Sequence, residues 1–427
     1  MRYVVTDAPS SLAPHERALV EGTTLRTGKE DFKKSFKQPT SLETDALRVG
    51  AAVFAADRAT ARGLNEDLAR HIEVQIPVVN LSRFQGVATE IESVLHTLSN
   101  DYWRVEFAAM AGEPEGSLVA KSEAGKTLLF SGGLDSLAAA IEFGKKAKPL
   151  QLVSHRTKNQ PTTKAQNDLV ELLAADGYNL VHRPCVVSSS DSKPPTFDHD
   201  VENSQRTRSF VFLVLGALYA RRAGHEKLLY LAENGQMAIH LSLTAGRIGA
   251  LSTHTAHPDV LAQMEGMLRL LLGYQITIEN PYVYKTKREV VSIVWHGLRK
   301  AVPSSTSCWK NSRLVPPATH CGVCIPCYVR RIAIEHHGTD PTQYAEDPWV
   351  LDPAKLPEDS EARRNLYDLA EFIFRFKTAA AGEIQDEYPE LLAADYDVDQ
   401  VIKMYRRFAV EAEMVWKKYP GPASLLA

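Results

Sequence analysis

Two short stretches of this sequence gather side chains that could do chemistry. The first is Ser131-Gly132-Gly133-Leu134-Asp135-Ser136, which follows the apolar run Leu128-Leu129-Phe130 and precedes an alanine-rich segment of helical pattern. Paired glycines let a backbone approach an anion without Cβ interference, and the N–H groups of the turn and of the helix terminus point at that anion. The hydroxyls of Ser131 and Ser136 add donors for the same oxygens. Asp135 would repel a bare polyphosphate, so its presence implies a bridging Mg²⁺. A strand, a glycine turn and a helix in that order favour a phosphate loop over a plain turn. Gly125-Lys126-Thr127 resembles the end of a different phosphate loop, but Ala120 stands where that motif needs glycine, and the tripeptide precedes a strand where it should open a helix. It is set aside.

The second stretch is Cys308 followed by Cys321-Gly-Val-Cys324-Ile-Pro-Cys327, four of the chain's five cysteines. Thiolates at this spacing can close a tetrahedral site, which favours structural Zn²⁺ with no open position for catalysis. An Fe–S cluster is the chemical competitor, and four reduced cysteines without metal are the plain alternative. His320, adjacent to Cys321, is badly placed to replace a cysteine. Cys185 stands alone and reads as a small buried hydrophobe.

These residues need a frame, and a chain of 427 residues is too long for one ordinary core. Residues 1–121 carry short apolar runs (RYVVT, ALRVGAAVFAA, HIEVQIPVV, WRVEFAAMA) and one amphipathic helix near Val87 to Leu98, which predicts a small β-rich or α+β domain. GEPEGSLVAKSEAG reads as the connection. Residues 122–300 alternate strand-like and helical runs, so a parallel sheet with helices on its faces, an α/β Rossmann-like domain, is expected there. Ser188 to Gln205 reads as a long surface loop. The cysteine knuckle occupies 301–338, and 339–427 has the apolar spacing of packed helices. No apolar run reaches the ~18 residues that would span a bilayer, and the N-terminus lacks a signal-peptide pattern, so a cytoplasmic protein is expected. A formal net charge of −3 favours a small-molecule or protein partner over nucleic acid.

SGGLDS resembles the signature of the PP-loop, or N-type ATP pyrophosphatase, family. The resemblance implies that ATP is cleaved between its α and β phosphates and that AMP passes to a carboxylate or carbonyl oxygen, after which a nitrogen or sulfur nucleophile displaces it. A phosphate loop followed much later by a cysteine, CGxCxxC and Arg330, with Pro281, Lys287 and Glu289 between, is similar to the QueC family of 7-cyano-7-deazaguanine synthases over residues 126–337. Those enzymes convert 7-carboxy-7-deazaguanine to the nitrile with ammonia and ATP. The sequence also departs from the family. Its Arg-Asn pair appears as Arg206-Thr-Arg208-Ser209, and its substrate segment is replaced by Glu233-Asn234-Gly235-Gln236, continuing to Arg247 and Ser252-Thr-His254-Thr-Ala-His257. The longer architecture looks like QueC-like proteins of the QatC type, encoded in bacterial anti-phage defence cassettes.

What the resemblance implies can be placed residue by residue. Ser131, Gly132, Gly133, Leu134, Asp135, Ser136 and Arg208 would bind ATP, with Asp135 holding Mg²⁺ and Lys287 neutralising developing phosphate charge. Arg206, Glu233 and Asn234 would bind a 7-deazaguanine-type carboxylate, and Cys308, Cys321, Cys324 and Cys327 would hold Zn²⁺. The appended regions would dock an operon-encoded protein whose primary amine replaces ammonia. Plainer readings stand beside these: exposed salt-bridging arginines, a loop carboxylate at Glu233, and structural histidines at His254 and His257. The rival functions are another PP-loop chemistry, such as tRNA modification, and a nucleotide-binding scaffold that makes no AMP.

Overall fold

The computed structural model describes residues 1–7, 12–62, 69–113, 125–145, 148–157, 159–189, 202, 204–223, 228–243, 255–392 and 396–426. Among them the chain is α/β, with two sheets whose strands are all parallel. The first contains β1 (Arg2–Val5), β2 (Glu16–Leu19), β3 (His71–Val78) and β4 (Tyr102–Ala109) in the order β2-β1-β3-β4. The second contains β5 (Lys126–Leu129), β6 (Leu150–Arg156), β7 (Leu180–Val186), β8 (Leu228–Leu231) and β9 (Thr277–Glu279) in the order β7-β6-β5-β8-β9. Register is set by pairs such as Leu129 with Val153 on one side and with Leu231 on the other. From β5 the chain runs outward through β6 and β7, then returns to place β8 on the opposite side. The reversal falls between β5 and β8, where open α/β sheets form a crevice beyond their carboxyl ends.

The N-terminal region corrects the expectation of a β-rich or α+β unit. The run ALRVGAAVFAA is no strand but the middle of a helix, Ser41–Ala59, which is buried on nearly every side. Because Glu43, Asp45, Arg48 and Asp57 are buried along with its apolar residues, the helix shows no clean amphipathic period, and its central apolar run imitates a strand. Its start was nonetheless encoded: Thr40 and Glu43 form a capping box, with Glu43 N donating to Thr40 Oγ1 at 3.2 Å and Thr40 N donating to Glu43 Oε2 at 2.8 Å.

This helix packs against Arg208–Ala223, in which every residue from Ser209 onward is buried. Two ion-assisted clamps join them. Glu43 accepts from Arg222 Nε at 2.6 Å and from Arg222 Nη2 at 2.5 Å, while Asp57 at the other end accepts from Thr207. One apolar core therefore runs from Tyr3 and Phe54 through Phe210 and Leu218 to Met264 and Ile278, and both sheets share it. A second cluster lies on the opposite face of the β5 sheet, under Leu134–Phe143 and Lys287–Leu298.

The C-terminal expectation of packed helices is met by Glu361–Thr378 and Val398–Trp416, which bury Phe372, Phe376, Phe408 and Trp416 between them and against Ile239, Leu241 and Tyr328. No helix among the described residues is long and apolar enough to cross a membrane. Most of the expected loop from Ser188 to Gln205 and of the connection before Gly125 lies outside the described residues, as do Arg247, Ser252 and His254.

Candidate functional site

The turn after β5 has the conformation its glycines suggest. Gly132 sits at φ +87°, and a Cβ there would meet the Gln166 side chain at 3.2 Å and its backbone N at 3.3 Å. Gly133 precedes the helix Leu134–Phe143, so the first N–H groups of that helix face the crevice. Ser131 and Ser136 stand with their Oγ atoms 3.2 Å apart, and Gly133 N donates to Ser131 Oγ at 3.3 Å. Thr306 N donates to Gly132 O at 2.9 Å, which ties the turn to the segment leading into Cys308.

Asp135, in the first turn of that helix, accepts from Lys287 Nζ at 2.7 Å and from Asn234 Nδ2 at 3.1 Å through the same oxygen, Oδ2. Its other oxygen, Oδ1, is buried without a hydrogen-bond partner among the described residues. A buried carboxylate oxygen left unpaired is costly unless a cation or water completes it, so this oxygen could accept a hard divalent ion.

Lys287 opens the helix Lys287–Leu298. Thr286 caps that helix, and Thr286 Oγ1 in turn donates to Glu411 from the C-terminal region at 3.1 Å. Asn234 caps the short helix Gly235–Ile239. Gly235 is required between them, because a Cβ would lie 2.3 Å from Val283 O. Tyr405 Oη donates to Gln236 O at 3.3 Å, and Gln236 Oε1 accepts from Lys287 N at 2.7 Å. The C-terminal helices thus brace both segments that present side chains to Asp135.

Glu233 follows β8 and faces the same space. Its backbone is clasped by Asn280, which accepts from Glu233 N at 3.1 Å and donates Nδ2 to Glu233 O at 2.9 Å. Burial, reinforced by the Asp135 charge and opposed by Lys287, pushes the Glu233 carboxyl up to about 7. Arg208 enters from the first turn of its helix. Among the described residues no carboxylate pairs with it, and burial holds its guanidinium below the usual arginine range. The neighbouring His155 is pushed down to about 3 by burial and by Arg208, so it stays neutral beside that cation.

Together Ser131, Gly133, Asp135, Arg208, Glu233 and Lys287 line one cavity of 290 Å³. Trp309 stands at its lip, 53% exposed. Met237, Trp309 and Val329 also border a second cavity of 380 Å³, walled on its far side by Leu369, Phe372 and Phe408 of the C-terminal helices. Neither Trp309 nor Thr306 was singled out by spacing. Proximity to Cys308 was the available signal, since a metal-held loop positions its neighbours.

Arg206 does not join this group. Its side chain turns the other way, and Nη1 donates to Ser99 O at 3.0 Å in a buried cluster with Arg62, Arg70, Asp57 and Asp101. It lies only two residues from Arg208, but the turn entering the helix sends the two side chains into different surroundings. His257 caps the helix Pro258–Leu272, accepting from Asp259 N at 3.3 Å, which is a structural task.

The four knuckle cysteines converge, with Sγ atoms all within 4.8 Å of one another and all four residues buried. That spread suits a tetrahedron of thiolates at about 2.3 Å from a metal, whose S–S edges are about 3.8 Å. Backbone N–H groups already point at the sulfurs: Cys321 N and Lys310 N each lie 3.3 Å from Cys308 Sγ, and Cys324 N lies 3.4 Å from Cys321 Sγ. The cluster can hold a metal ion such as zinc. His320 is turned away, accepting from Ser307 N at 3.1 Å, and burial pushes it down to about 2. Arg330, fully buried, donates to Ser305 Oγ at 2.9 Å and Val302 O at 2.9 Å, anchoring the segment that carries Thr306.

Compared with known proteins, the chain matches no protein-family model, and none of the curated proteins matches it.

Proposed function

We propose that this chain is a QueC-like ATP-dependent ligase of the PP-loop type, which adenylates a 7-deazaguanine-type carboxylate for attack by a nitrogen nucleophile. The observation that carries the reading is Arg208, with which no carboxylate among the described residues pairs, beside the Ser131–Ser136 turn at the reversal point of a parallel sheet, with Asp135, Lys287 and Glu233 in the same cavity. Such a cation, helix N–H groups and serine hydroxyls suit a polyphosphate, and the carboxylate pair suits its metal ion and a base edge.

In this reading Ser131, Gly132, Gly133, Leu134 and Ser136 hold the β and γ phosphates of ATP. Asp135, whose Oδ1 has no partner among the described residues, would hold Mg²⁺, and that ion would supply charge neutralisation for the departing pyrophosphate. The acceptor carboxylate oxygen attacks the α phosphorus, the α–β bridging P–O bond breaks, and pyrophosphate leaves with that electron pair. Arg208 and Lys287 stabilise the charge that builds up on the phosphates. Glu233 reads the donor edge of the acceptor ring, while Asn234, whose side chain caps Gly235–Ile239 and donates to Asp135, positions that carboxylate. The nucleophile approaches through the second cavity, adds at the acyl carbon, loses its proton and expels AMP.

Cys308, Cys321, Cys324 and Cys327 would hold a structural Zn²⁺, which would stiffen the segment whose Thr306 N donates to Gly132 O. A primary amine on an operon-encoded partner is the proposed nucleophile, in a defence role. The exposed apolar side chains Phe374, Val410 and Met414 on the C-terminal helices support that partner.

Product analysis tests the reading. Incubation with ATP, Mg²⁺ and 7-carboxy-7-deazaguanine should give AMP and pyrophosphate, and the mass of a co-purified partner should rise by that of the acid minus water. Free nitrile made from ammonium, with the partner's mass unchanged, points to a biosynthetic synthase. ADP as product, or bound ATP that is never cleaved, overturns the ligase reading and favours the scaffold alternative.

A further inference from the structure

Arg208 is placed by the residues before it, and those residues are held by the N-terminal region. Thr207 is fully buried, and both its backbone N, at 3.1 Å, and its Oγ1, at 2.8 Å, donate to Asp57 Oδ2. Asp57 lies near the end of the helix Ser41–Ala59, remote in sequence but beneath the first turn of Arg208–Ala223. Its carboxylate therefore caps a helix N-terminus from outside, where a negative charge is favoured by the helix dipole. Asp57 is itself held, because Arg70 Nη2 donates to Asp57 Oδ1 at 2.5 Å and to Asp101 Oδ2 at 2.6 Å. Arg206 completes the grip through Ser99 O.

Two consecutive residues are thus clamped by the N-terminal layer, and the third carries its guanidinium in the cavity. A free arginine side chain loses substantial rotamer entropy when it binds, so fixing its backbone beforehand favours the bound geometry.

We propose that Asp57 is a positioning residue for the nucleotide, acting through Thr207 to aim Arg208 at the ATP phosphates. The N-terminal region is then part of the nucleotide site. This inference rests on the nucleotide reading of the cavity above.

The test is ATP affinity measured calorimetrically with Mg²⁺ and a non-hydrolysable α,β-methylene analogue, alongside thermal melting. Thr207→Val keeps the shape and the backbone hydrogen bond but removes the hydroxyl donor. It should weaken binding about tenfold and, in a separate AMP-formation assay with ATP, raise KM with kcat changed far less, and Thr207→Ser should restore affinity. Asp57→Asn should weaken binding at least as much, and Arg208→Ala more than either. In an Arg208→Ala background Asp57→Asn should weaken binding no further, the non-additivity expected if one residue acts through the other.

Wild-type affinity in both Thr207→Val and Asp57→Asn, while Arg208→Ala loses binding, overturns the inference and leaves the nucleotide reading standing. Additive losses in the double variant also overturn it. If Arg208→Ala binds as wild type, or the wild type binds no ATP, the nucleotide reading falls and takes the inference with it. Should Asp57→Asn fail to fold, Thr207→Val and its serine rescue decide the question.

Discussion

Replacing Lys287 by methionine separates what the Asp135–Lys287 pair does for the fold from what it does for chemistry. The two charges meet at 2.7 Å with side chains only 8% and 13% exposed. At an effective dielectric of about 20 their attraction amounts to about 6 kcal/mol, most of which is offset by desolvating both groups. Removing one partner strands the other, which costs about 3–5 kcal/mol in buried pairs, and the residual exposure here places the expected loss near 3 kcal/mol. Asn234 alone would remain to Asp135 Oδ2. The double variant Asp135→Asn with Lys287→Met carries no stranded charge and should regain stability to within about 1 kcal/mol of wild type. Turnover should behave differently, falling by about 10²-fold or more in Lys287→Met and staying lost in the double variant. Urea unfolding followed by circular dichroism measures the first quantity, and AMP formation under saturating ATP measures the second. If Lys287→Met is as stable as wild type, or if the double variant recovers turnover along with stability, the assignment of charge stabilisation to this pair is refuted.

Elemental analysis should find one zinc per chain, and Cys324→Ser should yield poorly soluble protein, because the binding energy of a closed four-thiolate site is folding energy; iron or no metal would refute the assignment. Chelation should also weaken ATP binding, since Thr306 N holds Gly132 O from the segment next to Cys308. AMP formation should rise with pH through about 7 as Glu233 ionises, and Glu233→Gln should lack that limb. Its folded value is raised from 4.5, so between about 4.5 and 7 the unfolded chain has lost the proton that the folded one keeps. Stability should therefore decline with rising pH across that window, less steeply in Glu233→Gln, as pH-dependent denaturation would report. Gly235→Ala should be destabilised by about 1–3 kcal/mol through the clash with Val283 O, measurable as a lower melting temperature with loss of turnover.

Local chemistry was legible in the sequence wherever one segment sufficed to encode it. The strand, glycine turn and helix around Ser131–Ser136 depend on neighbours only a few residues apart, and the cysteine spacing restricts the geometry of the knuckle on its own. The alternation of strands and helices after Lys126 likewise announced a parallel sheet, since the periods 2 and 3.6 are local properties.

The tertiary structure decided everything that depends on which segments meet. Whether Ser41–Ala59 is helix or strand was settled by burial on all sides, which erases the amphipathic period. The sequence could nominate Arg206 and Arg208 together, but only the packing of the N-terminal layer sends Arg206 to Ser99 O and leaves Arg208 in the cavity. The terminal regions look like separate modules in the linear chain. In the folded protein Asp57 caps the Arg208 helix from one side, and Glu411 and Tyr405 brace the Lys287 and Gln236 segments from the other. Those contacts join residues more than a hundred positions apart, and no periodicity or local spacing records such a pairing.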